Sequence, residues 1–374
     1  MRRFFLPVIF LLCLASVAWG ETKKVDPFIM PSARFSALGG GHTSMADDFY
    51  SIFLNPAAFA SVKDEFSAAE ITISTFGPIF KIADLLRDSS GSFEDMDLSG
   101  LVSPGGFSTG FELGGPLSLG WVGRGLGLGI FNKITATASI NGVTLRPFMS
   151  AELLFVGGYG FKIFDVKGAV MEGGFLAKGF YRGALNMKTN IFSLDSLDPT
   201  ESPITTHLGF GLDLGLRLTL LDMISLAVVC YDVYSPVMVT SYPTLSDFTD
   251  NGLKENSYAI VKRRLNFGIS YRVRSDFLDR YISRLTIVTS YHDFLDLFSM
   301  LPRNPILNVG IGVEVALLKA LTFRFGLTDA MPAFGFGLDL HFMTLDFAIY
   351  GKELGLDPGK HPVYALSIGM LFRY

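Results

Sequence analysis

The sequence predicts an all-β protein, a transmembrane antiparallel β-barrel of about 14 strands. Three observations carry this. The 374 residues are 49% hydrophobic and only 18% charged, with a mean hydropathy of +0.40, whereas soluble domains carry about 25% charged residues. After residue 20 no apolar run reaches the roughly 18 residues that a membrane helix needs. Hydrophobicity instead alternates residue by residue, as it does in strands that show one face to lipid and the other to a lumen.

The first element is a leader. Arg2-Arg3 precedes an apolar run from Phe4 to Ala18, and Ala18-Trp19-Gly20 offers small residues at a cleavage site before Glu21. Residues 1–20 are therefore expected to be a cleaved signal peptide. Lipidation at Cys13 is the alternative, and Leu12 before it is larger than such a site prefers. Loss of the leader leaves Cys230 alone, with no disulfide and no CxxC metal site. A formal charge of −4 and the lack of a basic tail give no nucleic-acid footprint. The five His residues form no Ser/His/acid or metal-ligand pattern, so no enzyme, cofactor or metal is expected.

The next element, Ser36 to Ala60, is small, Gly-rich and amphipathic. Met45, Phe49, Ile52 and Phe53 have helical spacing, which predicts a helix in the second half of 37–53. Gly39, Gly40 and Gly41 permit a tight turn and close backbone approach. Pro56 forces Asn55 into an extended conformation, from which its side chain can bond neighbouring backbone.

Strands are then expected at 67–76, 106–113, 125–139, 146–160, 169–185, 206–220, 223–236, 258–274, 283–295, 306–317, 320–330, 333–341, 343–351 and 363–374. In His207 to Leu220 every even position is Leu or Phe, and the odd ones are His, Gly, Asp, Arg and Thr. In the 261–274 segment Val261, Leu265, Phe267, Ile269, Tyr271 and Val273 share a face, opposite Lys262, Arg264, Asn266, Ser270, Arg272 and Arg274. Arg263 breaks the apolar face and is expected at the level of the lipid headgroups. A soluble sandwich also alternates, but its strands are typically about 5–6 residues long, and its outer face is not this Gly-rich. Short and long connections alternate along the chain, which puts both barrel termini on the periplasmic side. Two outer loops are apolar. The first holds Ile79, Phe80, Ile82, Leu85 and Leu86 as an amphipathic helix, and the second holds Val237, Met238, Val239 and Tyr242. Together they are a candidate landing site for a hydrophobic ligand; a loop helix packed on the barrel rim is the alternative. The predicted inward charges include Arg264, Arg272 and Arg324, which can pair with other lumen groups or bind passing carboxylates.

In the last strand Ser367, Gly369, Phe372 and Tyr374 match the outer-membrane barrel-assembly signal of polar, Gly, apolar and aromatic residues. The resemblance implies recognition by the barrel-assembly machinery and residence among the lipids of a diderm outer membrane. The segment with Gly39-Gly40-Gly41, Asp47-Asp48 and Asn55-Pro56-Ala57, with "GPLSLGWVGRGLGLGIF" after it, resembles the FadL family of outer-membrane transporters. That resemblance implies a helical hatch at 21–62 inside the lumen of a barrel spanning 63–374. It also implies uptake of hydrophobic molecules such as long-chain fatty acids. The alternatives are a PorV-like barrel that binds secreted partner proteins and a diffusion porin for small polar solutes.

Overall fold

A computed structural model describes residues 23–78, 107–190, 198–250, 252–273, 282–317, 320–340, 342–373. The expected leader, the loop bearing Ile79, Phe80, Ile82, Leu85 and Leu86, His341 and Tyr374 lie outside these residues.

Among the described residues the wall has fourteen strands, and it is built from the period-2 segments. They are β1 (Glu65–Gly77), β2 (Phe107–Gly114, resuming at Leu119–Gly123), β3 (Leu126–Asn141), β4 (Thr144–Val166), β5 (Ala169–Asn186) and β6 (Ile204–Leu220). Next come β7 (Ile224–Tyr234, resuming at Pro236–Tyr242) and β8 (Glu255–Val261, resuming at Arg264–Val273). The remainder are β9 (Ile282–Tyr291), β10 (Val309–Leu317), β11 (Leu321–Thr328), β12 (Met331–Asp339), β13 (Met343–Glu353) and β14 (Pro362–Arg373). Each wall strand pairs antiparallel with its sequence neighbours. The β14–β1 ladder, from Tyr364↔Gly77 to Arg373↔Ser67, closes the barrel. Closure leaves no free edge, which is how a sheet satisfies its backbone in lipid. The outward faces carry Ile73, Phe155, Phe175, Leu208, Phe210, Ile269, Ile287, Phe325 and Ile368, all exposed. They form the apolar band of a transmembrane barrel.

Three local expectations are corrected. Val237 to Tyr242 is not an outer loop but the continuation of β7, with Val237 and Val239 buried inward. Met238 stands opposite Leu208 and Tyr258 on the exposed outward face, so it belongs to the wall and not to a ligand loop. Alternation across 261–274 is broken at Lys262–Arg263, where β8 is interrupted. Val261 therefore faces inward, 3% exposed, while Leu265 and Phe267 beyond the break face outward. Lys262 leaves the lumen face and pairs with Asp293 and Asp296 of the β9–β10 loop. The expected helix within 37–53 is mostly turns. Only Ser51–Leu54 (α2) is helical there, while a second short helix, α1 (Ala33–Ala37), precedes the glycines. Gly39 at φ +84° ends the first. The Asp48 carboxylate, accepting from Tyr50 N–H at 3.0 Å, holds a turn before the second.

Candidate functional site

Residues 23–62 run inside the wall. Their apolar side chains, Phe35, Leu38, Met45, Phe49, Ile52 and Phe59, join inward-facing Val122, Phe131, Leu154, Val156 and Leu176 in one buried cluster. Lys24–Val25 lies against the loop end of the barrel, paired parallel with Ile260 and Val261 of β8. It then crosses the lumen. Lys133 of β3 donates to Ile29 O at 3.2 Å and lies over the Phe28 ring.

Two docking surfaces hold the segment. On the β10–β13 side the contact is charged and also close: Cβ atoms added at Gly310 and Gly312 of β10 would sit 2.4 Å from Gly39 O and 2.3 Å from Leu38 O. Arg34 pairs with Asp48, with Glu314 of β10 at 3.2 Å and with Asp47 at 3.6 Å. Glu314, fully buried, also accepts from Arg324 at 2.9 Å and Arg284 at 2.8 Å, and Arg324 reaches Asp346 at 2.5 Å. Asp47 is 3.6 Å from Arg284 and 3.9 Å from Arg272. The expected lumen cations Arg324 and Arg272 thus belong to this network. Arg264 lies apart, stacked over the Tyr231 ring. Cavities of ≈ 380 and ≈ 470 Å³ with mixed polar and apolar linings open beside the segment, and Asp47 and Arg272 line both.

On the β4–β6 side the contact is a fit of backbone to glycine. Asn55 is extended at φ −163°, as Pro56 requires. Its side-chain oxygen accepts from Ala57 N–H at 3.0 Å, and its amide donates to Thr43 O at 3.2 Å and to Leu216 O of β6 at 3.3 Å. The Pro56–Ala60 3₁₀ turn lies on Gly174 and Gly215. A Cβ added at Gly174 would sit 2.3 Å from Pro56 O, and one at Gly215 would sit 2.1 Å from Asn55 Oδ1. Arg217, paired with Glu172 at 2.6 Å, donates to Ala46 O at 2.6 Å and to Ser61. Ala57 is fully buried in this contact.

Between the two surfaces, the Gly39–Gly41 turn presents His42 to β9. Its Nε2–H donates to Leu38 O at 2.8 Å, so its Nδ1 accepts from Ser290 Oγ at 2.9 Å. Burial pushes the imidazole down to about 4, and the nearby Arg34 charge acts in the same direction. Of the C-terminal signal residues, Ser367 bonds Ser74 of β1 at 2.7 Å inside the closing seam, and Gly369 faces Ala33 of α1.

Arg34 and His42 escaped the sequence reading. Arg34 is the one charge in the stretch Met30 to Ala46, and a lone charge among small apolar residues was its signal. For His42 no signal existed, because Ser290 lies 248 residues away.

No protein-family model and no curated protein matches the sequence. Solved structures do match its shape. The CymD monoaromatic hydrocarbon channel superposes with a TM-score of 0.50 at 11% identity, covering 94% of this chain and 99% of that one. A Pseudomonas aeruginosa FadL homologue gives 0.46 at 11% identity, covering 94% and 98%. The Ralstonia pickettii toluene transporter TbuX gives 0.48 at 12% identity, covering 92% and 97%. The CymD match shows a shared fold over nearly the whole of both chains.

Proposed function

We propose that this chain is a FadL-like outer-membrane channel for uptake of hydrophobic molecules, in which residues 21–62 are a hatch that blocks the lumen until it moves. The observation that carries this is the filled lumen: an N-terminal segment, tethered on both sides, inside a fourteen-strand wall whose fold is shared with a hydrocarbon channel. A diffusion porin needs an open aqueous path; here Phe49, Phe59 and Phe131, all fully buried, occupy the interior. The inward positions of β7 and β8 near the loop end, Val237, Val239, Ala259 and Val261, are apolar and suit a hydrocarbon rather than a sugar. Long-chain fatty acids and small aromatics are the two cargo classes to separate. The test is uptake of radiolabelled oleate and of toluene by cells lacking their own channels, with and without this protein. Accelerated uptake of either supports the reading and names the class. Swelling of protein-containing liposomes in sugars, without uptake of either, would replace it with a porin.

A further inference from the structure

We infer that the β9–β10 loop is a membrane anchor, folded back over the outside of the wall with its apolar tip among the acyl chains of the outer leaflet. The direction of the fold is set by its base. Gly268 and Ser270 of β8 touch the hatch, so Phe267, one residue before Gly268, faces out, and Tyr291, directly opposite Phe267, faces out with it. Phe294, in the 3₁₀ turn Phe294–Phe298, packs edge-on against both, with ring centroids at 5.3 and 6.0 Å. With Leu295 it covers the outward-facing Cys230 and Leu265, leaving them 1% and 3% exposed. The chain thus passes from His292 inside the barrel to Phe294 outside it, turning at Asp293 with φ +50°.

The loop is clamped there. Lys262, at the break in β8, pairs with Asp293 at 2.8 Å and Asp296 at 3.3 Å, so neither carboxylate meets the membrane unpaired. Asp296 also accepts from Arg303 N–H at 2.8 Å. Beyond the clamp, Phe298 (64%), Met300 and Leu301 (76%) stand exposed. They are continuous with the apolar band through Phe294, which touches Phe298 at 5.8 Å. Phe267 lies six residues from the end of β8 at Val273, roughly 16 Å up a tilted strand and so within the ~25 Å apolar band. A loop rooted at that depth on the lipid side meets acyl chains before water. Leaving three large apolar side chains in water would forgo the free energy of removing their surface from it.

The test is a spin label at Met300→Cys in the full chain reconstituted in phospholipid vesicles, with Leu253→Cys, on the exposed β7–β8 loop, as reference. Label taken up by the parent protein is subtracted. The expected result is a label relaxed by oxygen and shielded severalfold from a water-soluble nickel chelate relative to position 253. Equal nickel accessibility at the two positions overturns the anchor. So does dipolar broadening at 300 that disappears on dilution with unlabelled protein, because a second copy of the chain would then occupy the tip.

Discussion

The two sides of the N-terminal segment inside the barrel are held by different mixtures of charge and shape. Against β10–β13 it is held by charge as well as by shape: Arg34 sits among Asp47, Asp48 and Glu314, and the Leu38–Gly39 backbone lies on Gly310, Gly312 and Gly326. Against β4–β6 it is held by shape: the Asn55–Ala60 backbone lies on glycines and Asn55 bonds the wall directly. Charge pairs can be exchanged for water or for other ions, whereas a backbone seated on glycine has no alternative partner. The β4–β6 contact adjoins the entry into β1, and the β10–β13 contact carries the exchangeable charge; in the proposed opening this makes the β4–β6 side the hinge and the Arg34 side the part that swings. The same opening locates the change from hatch to wall at Asn55–Ala60, where the chain must stay fixed if β1 is not to be pulled out of register.

The largest effect is expected from breaking the shape side. Gly174→Val drives side-chain carbon into the Pro56 carbonyl, and the hatch should fail to dock. Conductance in planar bilayers and protease cleavage before residue 62 should both rise, while heat-modifiable migration on gels still reports a folded barrel. Wild-type conductance in a folded G174V barrel would refute the glycine seat. Arg34→Ala comes next. Removing one partner of a buried ion pair costs roughly 3–5 kcal/mol, here offset in part by the remaining Arg324 and Arg284 contacts to Glu314. Frequent opening without loss of the closed state is expected, and a permanently closed channel would count against a charge-held side.

Acid should act on the same docking through His42. The docked ring is held neutral, down to about 4, while a released one titrates near 6.5. Below 6.5 the released state binds more protons, so docking is strongest above that pH and weakens as pH falls toward 4, by roughly 3 kcal/mol across the window. Asp48, whose carboxyl is held above its ordinary value by burial, takes up a proton in the docked state and opposes this effect. His42 is therefore read as a difference: between pH 7 and pH 4.5 opening should rise more in wild type than in His42→Gln, and parallel profiles would exclude a role for His42. The smallest effect belongs to Asn55→Ala, which loses three hydrogen bonds and costs roughly 2 kcal/mol. Faster hydrogen exchange confined to 54–62 is the expected readout. Exchange rising equally across α1 would show that the hinge is not local.

The wall was legible in the sequence because a strand writes its two faces into alternate residues. In His207 to Leu220 the alternation read from residue types is the alternation of burial. Legibility failed where the backbone breaks phase. Arg263 marks the interruption in residue type, but a charge on an apolar face is equally expected at the headgroup level, so Val261 and Lys262 were assigned to the wrong faces. Asn55 was readable because Pro56 fixes its conformation locally, although its bond to Leu216 O spans 161 residues and was not. The β9–β10 loop was unreadable in a similar way: Phe294 and Leu295 continue the apolar character of β9, and only the pairing with β8 shows where the strand stops.

One measurement addresses the proposed swinging of α1 about a fixed hinge without knowledge of the cargo. A Cβ at Gly369 would lie 3.5 Å from that of Ala33, within disulfide range. The Ala33→Cys/Gly369→Cys pair, added to R34A, should therefore lock α1 to β14 when oxidised. Single-channel recordings should then show a closed channel before dithiothreitol and frequent openings after it. Equal conductance in the oxidised and reduced states would contradict the account.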